Sequence, residues 1–402
     1  MKGAKMKNNK FYQFTDKIKI ALFAGIVAVF FIIGLLFFLR PTVSETEKRE
    51  LTKFPTFTVE SFASGEWTSQ VSLWFADTFP IRETMINVNF ALKNLYGIRD
   101  EQISEEAYVK NDTAYQYYAF NKTESDRYVK FINQFKASVG KDVTVYDLVA
   151  PLHYQIATNK DELMSKNPSA DNGKDQIQYM YSKLSSDIKT VDAFTQIEAH
   201  NDEYLYYRTD HHWTARGAYY AYVAFCQAKG ITPTPLSNYE RLQFNGFLGT
   251  LYADNGKPAD MAANPDYVEA FVPNGTNKIA VTEQSGKVTN YQIVNEQTDT
   301  WYQAAGSKYN CFIAGDNPIS EIHNIKISDG SSIVVIKESY GNAFIPFLVD
   351  SYEYIYVIDY RYWSGNLADF VIENEIKDVL FLNVINVTST EERMDQLDKI
   401  IN

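Results

Sequence analysis

Cysteine and histidine are both scarce in this sequence, two of one and five of the other among 402 residues. Two cysteines cannot build the disulfide framework of a small secreted domain. Cys226 and Cys311 allow one bridge, although Cys226 sits in a helical apolar pattern and can equally be a small buried hydrophobe. A zinc site wants three or four ligands at recognisable spacings, and beyond the adjacent pair at His211 and His212 only His153, His200 and His323 remain, with no such spacing. Basic charge is short as well. Thirty-eight Lys and Arg face 50 Asp and Glu, for a formal net charge of -12, which argues against nucleic acid as a partner because duplex binding relies on cations that neutralise phosphate. Long internal repeats and low-complexity segments are missing too. What is present is 45% hydrophobic and 22% charged residues, enough to bury a large core, so the chain reads as one large domain with appendages or as two domains.

The charge is unevenly spread. Six lysines against Asp16 make residues 1–19 basic, and the remainder is strongly acidic. Residues 20–39, "IALFAGIVAVFFIIGLLFFL", form an uncharged run of about the length a helix needs to cross a bilayer. A cleaved signal peptide has a shorter apolar region and a small-residue cleavage site, whereas this run continues into Phe37, Phe38, Leu39, Arg40 and Pro41. An uncleaved anchor is therefore expected, with the lysines holding the N-terminus in the cytoplasm and everything after Arg40 exported.

The organisation expected is a basic tail at 1–19, a transmembrane helix at 20–39, a polar stem and helical lead-in at 40–100 that lifts the domain off the membrane, and an extracytoplasmic domain at 101–402. In the lead-in, helix breaks at Pro80, and Asp77 and Arg82 flank the break as a structural ion pair. From Lys141 onward, strands alternate with helices: "DVTVYDLVAP", a helix around 175–189 and a strand near 191–194. The alternation returns in "SSIVVIKESYGNAFIPFLV", "YEYIYVIDYRYW" and "KDVLFLNVIN". This pattern predicts an α/β fold, a parallel sheet flanked by helices, with continuous apolar runs such as 333–336 covered on both faces. Residues 236–325 are rich in turn signals and read as a partly β insertion.

The stretch "RTDHHWTARGAYYAYVAF" carries the chemistry. If 208–213 is extended, Asp210 and His212 share a face and His211 faces away to pack or hydrogen-bond structurally. Ala218, Ala221, Tyr222 and Phe225 then mark the buried stripe of a helix that stops near Gly230. His212 precedes that helix, whose positive end favours a neutral imidazole; oriented by Asp210, it has the form of a general base. The matching nucleophile is Ser339 in "VVIKESYGNAF", at the carboxyl end of an apolar strand, where open α/β sheets place their active sites. Lys337 stands where a G-x-S-x-G elbow has its first glycine, so the local motif differs from that one. The rival chemistry for Asp210 and His212 is cation binding.

These blocks, "DHHW" at 210–213, "KESYGNAF" around Ser339, "IDYRYW" at 358–363 and the upstream "FADTFPIRE", together resemble the DHHW family. That family is similar to the alginate O-acetylation proteins of the SGNH-hydrolase-like superfamily. The resemblance implies a triad of Asp210, His212 and Ser339, and an acyl-serine relay that passes acetyl to a cell-surface or secreted polysaccharide. It further implies a membrane-bound O-acyltransferase partner to deliver the acyl group, and no cofactor. Related folds draw oxyanion donors from a Gly and an Asn in separate blocks, which points to Gly315 and Asn317 in "IAGDNP", a segment that also reads as a simple turn. Tyr340, Arg361 and Tyr362 are the further candidates for contacts to oxyanion or sugar, although an arginine there can equally brace loop backbone. Where such relatives commonly have Gly-Asp-Ser, this chain has Glu338 before Ser339. Two alternatives remain: a carbohydrate esterase with water as acceptor, and a non-catalytic polysaccharide-binding scaffold in an export complex.

Overall fold

A computed structural model of the chain describes residues 2–34, 40–41, 43–44, 49–96, 107–167, 172–295 and 305–401. The chain divides into two compact units, 1–98 and 99–402. In the first, α1 (Lys2–Gly34) contains the stretch Lys17–Gly34, long and apolar enough to cross a membrane, a property that spans and signal sequences share. Residues 35–39 of the expected span lie outside the described residues. The same unit holds strands β1 (Val43–Ser44) and β2 (Arg49–Glu50) and helices α2 (Val59–Ala63), α3 (Glu66–Asp77) and α4 (Arg82–Leu95), with the helix break at Pro80 as expected. The Asp77 carboxylate accepts from the backbone and hydroxyl of Thr52, both at 2.8 Å.

The second unit opens with the hairpin β3 (Ala107–Lys110) and β4 (Thr113–Gln116), followed by α5 (Lys122–Val139). Helix α5 starts because the Asn121 side chain accepts from the N–H groups of Thr123 and Glu124. It buries Tyr128, Phe131, Ile132 and Phe135, and ends at Gly140, whose φ of 75° lies in the left-handed region. Strand β5 (Thr144–Ala150), helices α6 (His153–Ile156), α7 (Lys160–Lys166) and α8 (Gly173–Tyr181), strand β6 (Ile188–Val191) and helix α9 (Ala193–Glu198) follow. Helix α10 (Ala215–Lys229) is capped by Thr214, buries the predicted stripe, and stops at Gly230 (φ 80°).

Strands β7 (Glu240–Phe247) and β8 (Asp266–Val272) make a separate hairpin. The remaining strands, β9 (Lys278–Thr282), β10 (Val288–Gln292), β11 (Ile319–His323), β12 (Ser332–Lys337), β13 (Tyr354–Asp359) and β14 (Asp378–Val384), join β5 and β6 in one eight-stranded sheet. Its order is β10-β9-β11-β13-β12-β14-β5-β6. The five strands from β13 to β6 are parallel, and β11, β9 and β10 continue the sheet antiparallel. The sheet is thus mixed where a parallel one was expected. Part of 236–325 is no insertion apart from the core, because β9 to β11 extend its edge.

The central strands are closed to water on both faces: Ile333, Val334, Val335 and Ile336 have no exposed area. Cys226 and Cys311 are free, buried thiols, so the bridge that the sequence allowed is not formed. A polar chain crosses this core. Tyr360 donates to Asn383 Oδ1 (3.1 Å), Asn383 donates to the Tyr128 hydroxyl (3.3 Å), and Tyr128 donates to Asp147 Oδ1 (2.5 Å). Asp147 Oδ2 is buried without a partner.

Burial pushes the Asp147 carboxyl up to about 7, with the Tyr128 hydrogen bond pulling the other way. An unfolded aspartate titrates near 3.9, so between those limits the folded chain holds a proton that the unfolded chain has released. The resulting stabilisation is full below about pH 4 and is lost as the pH rises through 7. Asp147→Asn keeps an acceptor for Tyr128 and removes this dependence. Chemical denaturation should find the variant gaining on the wild type by on the order of 2–3 kcal/mol between pH 5 and pH 8; a constant difference would contradict it.

Candidate active site

Residues 208–212 are a series of bends closed by an antiparallel bridge between Tyr206 and Trp213, not the extended segment that the sequence suggested. Asp210 Oδ1 accepts from the backbone N–H of His212 (3.0 Å) and from its Nδ1 (2.6 Å). The spacing of two residues brings carboxylate and imidazole together through a side-chain turn rather than through strand pleat. The other oxygen, Oδ2, accepts from the backbone N–H (2.9 Å) and the hydroxyl (3.2 Å) of Thr250. Burial alone would raise the Asp210 pKa, but His212 and His211 beside it, with these hydrogen bonds, hold it well below the usual carboxylate range. Gly249 makes this approach possible, since a Cβ there would stand 2.2 Å from Oδ2 and 2.3 Å from the Asp210 Cβ.

The opposite face of the imidazole meets the serine. Ser339 Oγ lies 2.7 Å from His212 Nε2, so Asp210, His212 and Ser339 form one hydrogen-bonded chain. Ser339 follows β12 and opens a 3₁₀ turn, Ser339–Ala343. It is half-buried between two buried neighbours, Glu338 and Tyr340. Two bonds tie its turn to the DHHW loop: Trp213 Nε1 donates to the Tyr340 carbonyl (2.9 Å), and the Tyr340 hydroxyl donates to the His211 carbonyl. Trp213 is fully buried, which makes the first bond costly to lose.

Tyr309 and Thr250 escaped the sequence reading, and Glu338 stood out there only as a departure from the Gly-Asp-Ser of relatives. The Tyr309 ring lies flat against His212, centroids 4.0 Å apart at 14°, and its hydroxyl donates to the Ser339 carbonyl (3.1 Å). Thr250 holds Asp210 and also bonds His211 Nδ1 (2.6 Å). Glu338 accepts from the Tyr340 N–H (3.0 Å) and the Val384 N–H (3.1 Å), and its Oε2 is 3.3 Å from Ser339 Oγ. Burial raises the Glu338 carboxyl pKa, with Arg361 as the largest opposing influence. Local motifs do not reveal Tyr309 or Thr250, which reach the site from other segments.

The expected oxyanion donors are differently employed. The Gly315 N–H donates to the Phe312 carbonyl (2.9 Å), Asn317 Nδ2 to the Ala314 carbonyl (3.2 Å), and the Tyr340 N–H to Glu338. Gly315 and Asn317 take part in a turn through these bonds, which use the Gly315 N–H and one of the two N–H groups of the Asn317 amide. Arg361 binds Asp359 through Nε (2.8 Å) and Nη2 (2.6 Å), and Asp316 through Nη2 (2.8 Å). Lys337, also buried, bonds the same two carboxylates at 2.9 and 3.1 Å. Asn342 Nδ2 adds a bond to Asp316 (2.9 Å). This charge cluster fixes the end of β12 to β13 and to the 313–317 turn, so Arg361 braces the loops. Tyr362 is exposed.

As for cation binding, one three-donor group exists among the described residues: Asp210, His211 and His212. His211 belongs to it because its ring contacts His212 at 3.9 Å rather than facing away. Both His212 nitrogens already have partners in Asp210 and Ser339. His153, His200 and His323 each stack on a tyrosine, Tyr206, Tyr220 and Tyr354 respectively.

Comparison with known proteins agrees with this architecture. The family model described as DHHW protein matches residues 47–107 and 104–358. No curated protein matches the sequence. Among solved structures, a DHHW family protein from Eubacterium siraeum is 27% identical, with a TM-score of 0.65 over 75% of this chain and 98% of its own. Bacillus cereus PatB1 shares the fold at 20% identity and a TM-score of 0.58, covering 71% of this chain and 98% of its own. A second PatB1 structure, with a sulfonyl adduct, is matched at 18% identity, a TM-score of 0.58, and 71% and 96% coverage.

Gly249→Ala tests how the site is held without touching a member of the hydrogen-bonded chain. The added methyl must displace Asp210, and an imidazole that loses its orienting carboxylate loses about 10²–10⁴-fold in function as a base. The rate of Ser339 modification by a sulfonyl fluoride should fall by that order. Modification at the wild-type rate would mean that Asp210 does not govern His212.

Proposed function

The chain belongs to the DHHW family, and from that premise we propose that it is a serine-dependent O-acyltransferase that modifies a polysaccharide hydroxyl outside the cytoplasm. In this reading Ser339 is the nucleophile, His212 the general base and acid, and Asp210 the group that orients the imidazole and stabilises its charged form. The observation that carries it is the unbroken chain Asp210 Oδ1, His212 Nδ1, His212 Nε2 and Ser339 Oγ, with contacts of 2.6 and 2.7 Å. A half-buried hydroxyl on a turn at the carboxyl end of a parallel strand supports the same assignment.

His212 Nε2 takes the Ser339 proton as Oγ attacks the acyl carbonyl, and the protonated imidazole returns that proton to the departing donor group, leaving an acyl-Ser339 ester. A sugar hydroxyl then gives its proton to His212 and attacks the ester carbonyl. Ser339 Oγ leaves and is reprotonated by His212, and the sugar ester departs. Asp210, held ionised by Thr250 and the two histidines, stabilises the imidazolium in both halves. The Ser339 N–H opens the 3₁₀ turn, where the intrahelical ladder offers it no acceptor, and it is the donor best placed for the developing oxyanion. Acetyl is the acyl group that family resemblance favours. A membrane-bound O-acyltransferase is the partner able to bring it across, and an apolar N-terminal helix preceded by lysines suits an enzyme held at the outer face of that membrane. The sulfonyl adduct on PatB1, a protein of this fold, makes sulfonyl fluorides a natural probe.

The test supplies the full chain with p-nitrophenyl acetate and a panel of oligosaccharides, and separates acetylated sugar from free acetate. Acetylated sugar is expected, with about 10³-fold loss or more in Ser339→Ala and His212→Ala and about 10²–10⁴-fold loss in Asp210→Asn. Free acetate alone would make the protein an esterase. Turnover unchanged in Ser339→Ala would contradict the nucleophile assignment, and a folded wild type with no turnover above the uncatalysed rate would leave a polysaccharide-binding scaffold.

A further inference from the structure

In the first unit, apolar side chains point outward in a pattern that the second unit does not share. On α4, Met85, Val88, Leu92 and Leu95 are exposed, at spacings i, i+3, i+7 and i+10 that set them on one helix face. Phe54, Phe57, Val59, Phe62, Leu73 and Phe75 are exposed on the segments before it. An amphipathic helix normally buries such a stripe, and single exposed hydrophobes need no explanation, whereas a contiguous set does.

The attachment of this unit to α1 indicates what covers the stripe. Phe79 stacks on Phe30 with centroids 6.2 Å apart, and a Cβ on Gly34 would stand 2.6 Å from the Phe75 ring. Arg40 donates to the carbonyls of Gly34 (2.7 Å) and Phe75 (3.2 Å) and to the Thr78 hydroxyl (2.8 Å), with its guanidinium over the Trp74 ring at 4.2 Å. The end of α3 is thus fixed at the depth of residues 30–34, the far end of the apolar stretch. Eighteen residues of helix span about 27 Å, close to the hydrocarbon thickness, so that depth is the boundary between acyl chains and headgroups when α1 spans a bilayer. Trp and Tyr concentrate at this level; Trp74, under the Arg40 guanidinium, lies beside this end of α3, and Phe54 packs edge-on against its ring with centroids 4.8 Å apart.

We propose that residues 54–96 lie in the outer membrane–water interface as a collar around the end of α1, with the stripe at 85, 88, 92 and 95 set against lipid. The 40–100 region is then no polar stem that lifts the domain away. The attraction is apolar rather than electrostatic, because the sequence between Phe54 and Tyr96 has four acidic and two basic residues.

Site-directed spin labelling of the full chain in phosphatidylcholine vesicles tests this, with Cys226 and Cys311 already buried. Labels are placed by Val88→Cys and Leu92→Cys, with Val27→Cys within the span, Asn87→Cys on the flank of α4 and Tyr291→Cys in the second unit for comparison. The ratio of collision with oxygen to collision with a water-soluble nickel chelate should be at least tenfold higher at 88 and 92 than at 291, and lower at 87 than at 88. Labels at 88 and 92 as accessible to nickel as 291 would overturn the proposal. So would labels at 88 and 92 shielded from both reagents, the sign of a protein surface covering the stripe. A nickel-accessible label at 27 would overturn the membrane span together with the collar.

Discussion

A single imidazole with a hydrogen bond on each side sets the terms for the rest of the site. His212 must reach Asp210 two residues away and Ser339 127 residues away, and much of the surrounding structure restrains those two distances. The Trp213–Tyr340 and Tyr340–His211 bonds tie the DHHW loop to the serine turn from both directions. Glu338 caps the turn from below and anchors it to β14 through Val384. The cluster of Lys337, Asp316, Asp359 and Arg361 then locks the strand end in place. Such a cluster is a poor source of net stability, since desolvating the ions offsets their attraction, but removing one member strands the others. Its worth lies in fixing position, where an error of 1 Å can cost a hundredfold in rate.

The fold follows from where water is excluded. The continuous apolar runs in β12 and β14 need cover on both faces, and α5 and α10 supply flanking apolar faces with Phe131, Ile132, Phe135 and Phe225. Those runs made the parallel core readable from sequence. The antiparallel edge was not, because β9 and β10 are short, half-polar strands separated by Gly286, and their local pattern suits an independent hairpin as well as a sheet edge. Register and partner are decided by long-range pairing such as Ser320 with Val281, which periodicity does not encode.

The site was legible to the extent that its chemistry is local. A carboxylate two residues from a histidine, and a serine just past an apolar strand, are sequence-level facts, and the fold brings those three side chains together. The first pair is made by a turn rather than by the extended strand that the sequence suggests. Tyr309, Thr250 and Gly249 were invisible because each acts through a loop whose position depends on the completed fold. Gly315 and Asn317 stand out in sequence for their residue types, and their own turn uses the Gly315 N–H and one N–H of the Asn317 amide. Arg361 reads in sequence equally as a sugar contact and as a loop brace, and the fold sets its Nε and Nη2 against Asp359 and Asp316.

The central claim is that Ser339 is a nucleophile activated by His212. Intact-mass measurement of the full chain after exposure to a sulfonyl fluoride, followed by peptide mapping, tests it most directly. A single adduct on Ser339, formed by the wild type and missing from a folded His212→Ala protein, is the predicted result. A wild-type chain that stays unmodified, or one modified equally fast without His212, would contradict it.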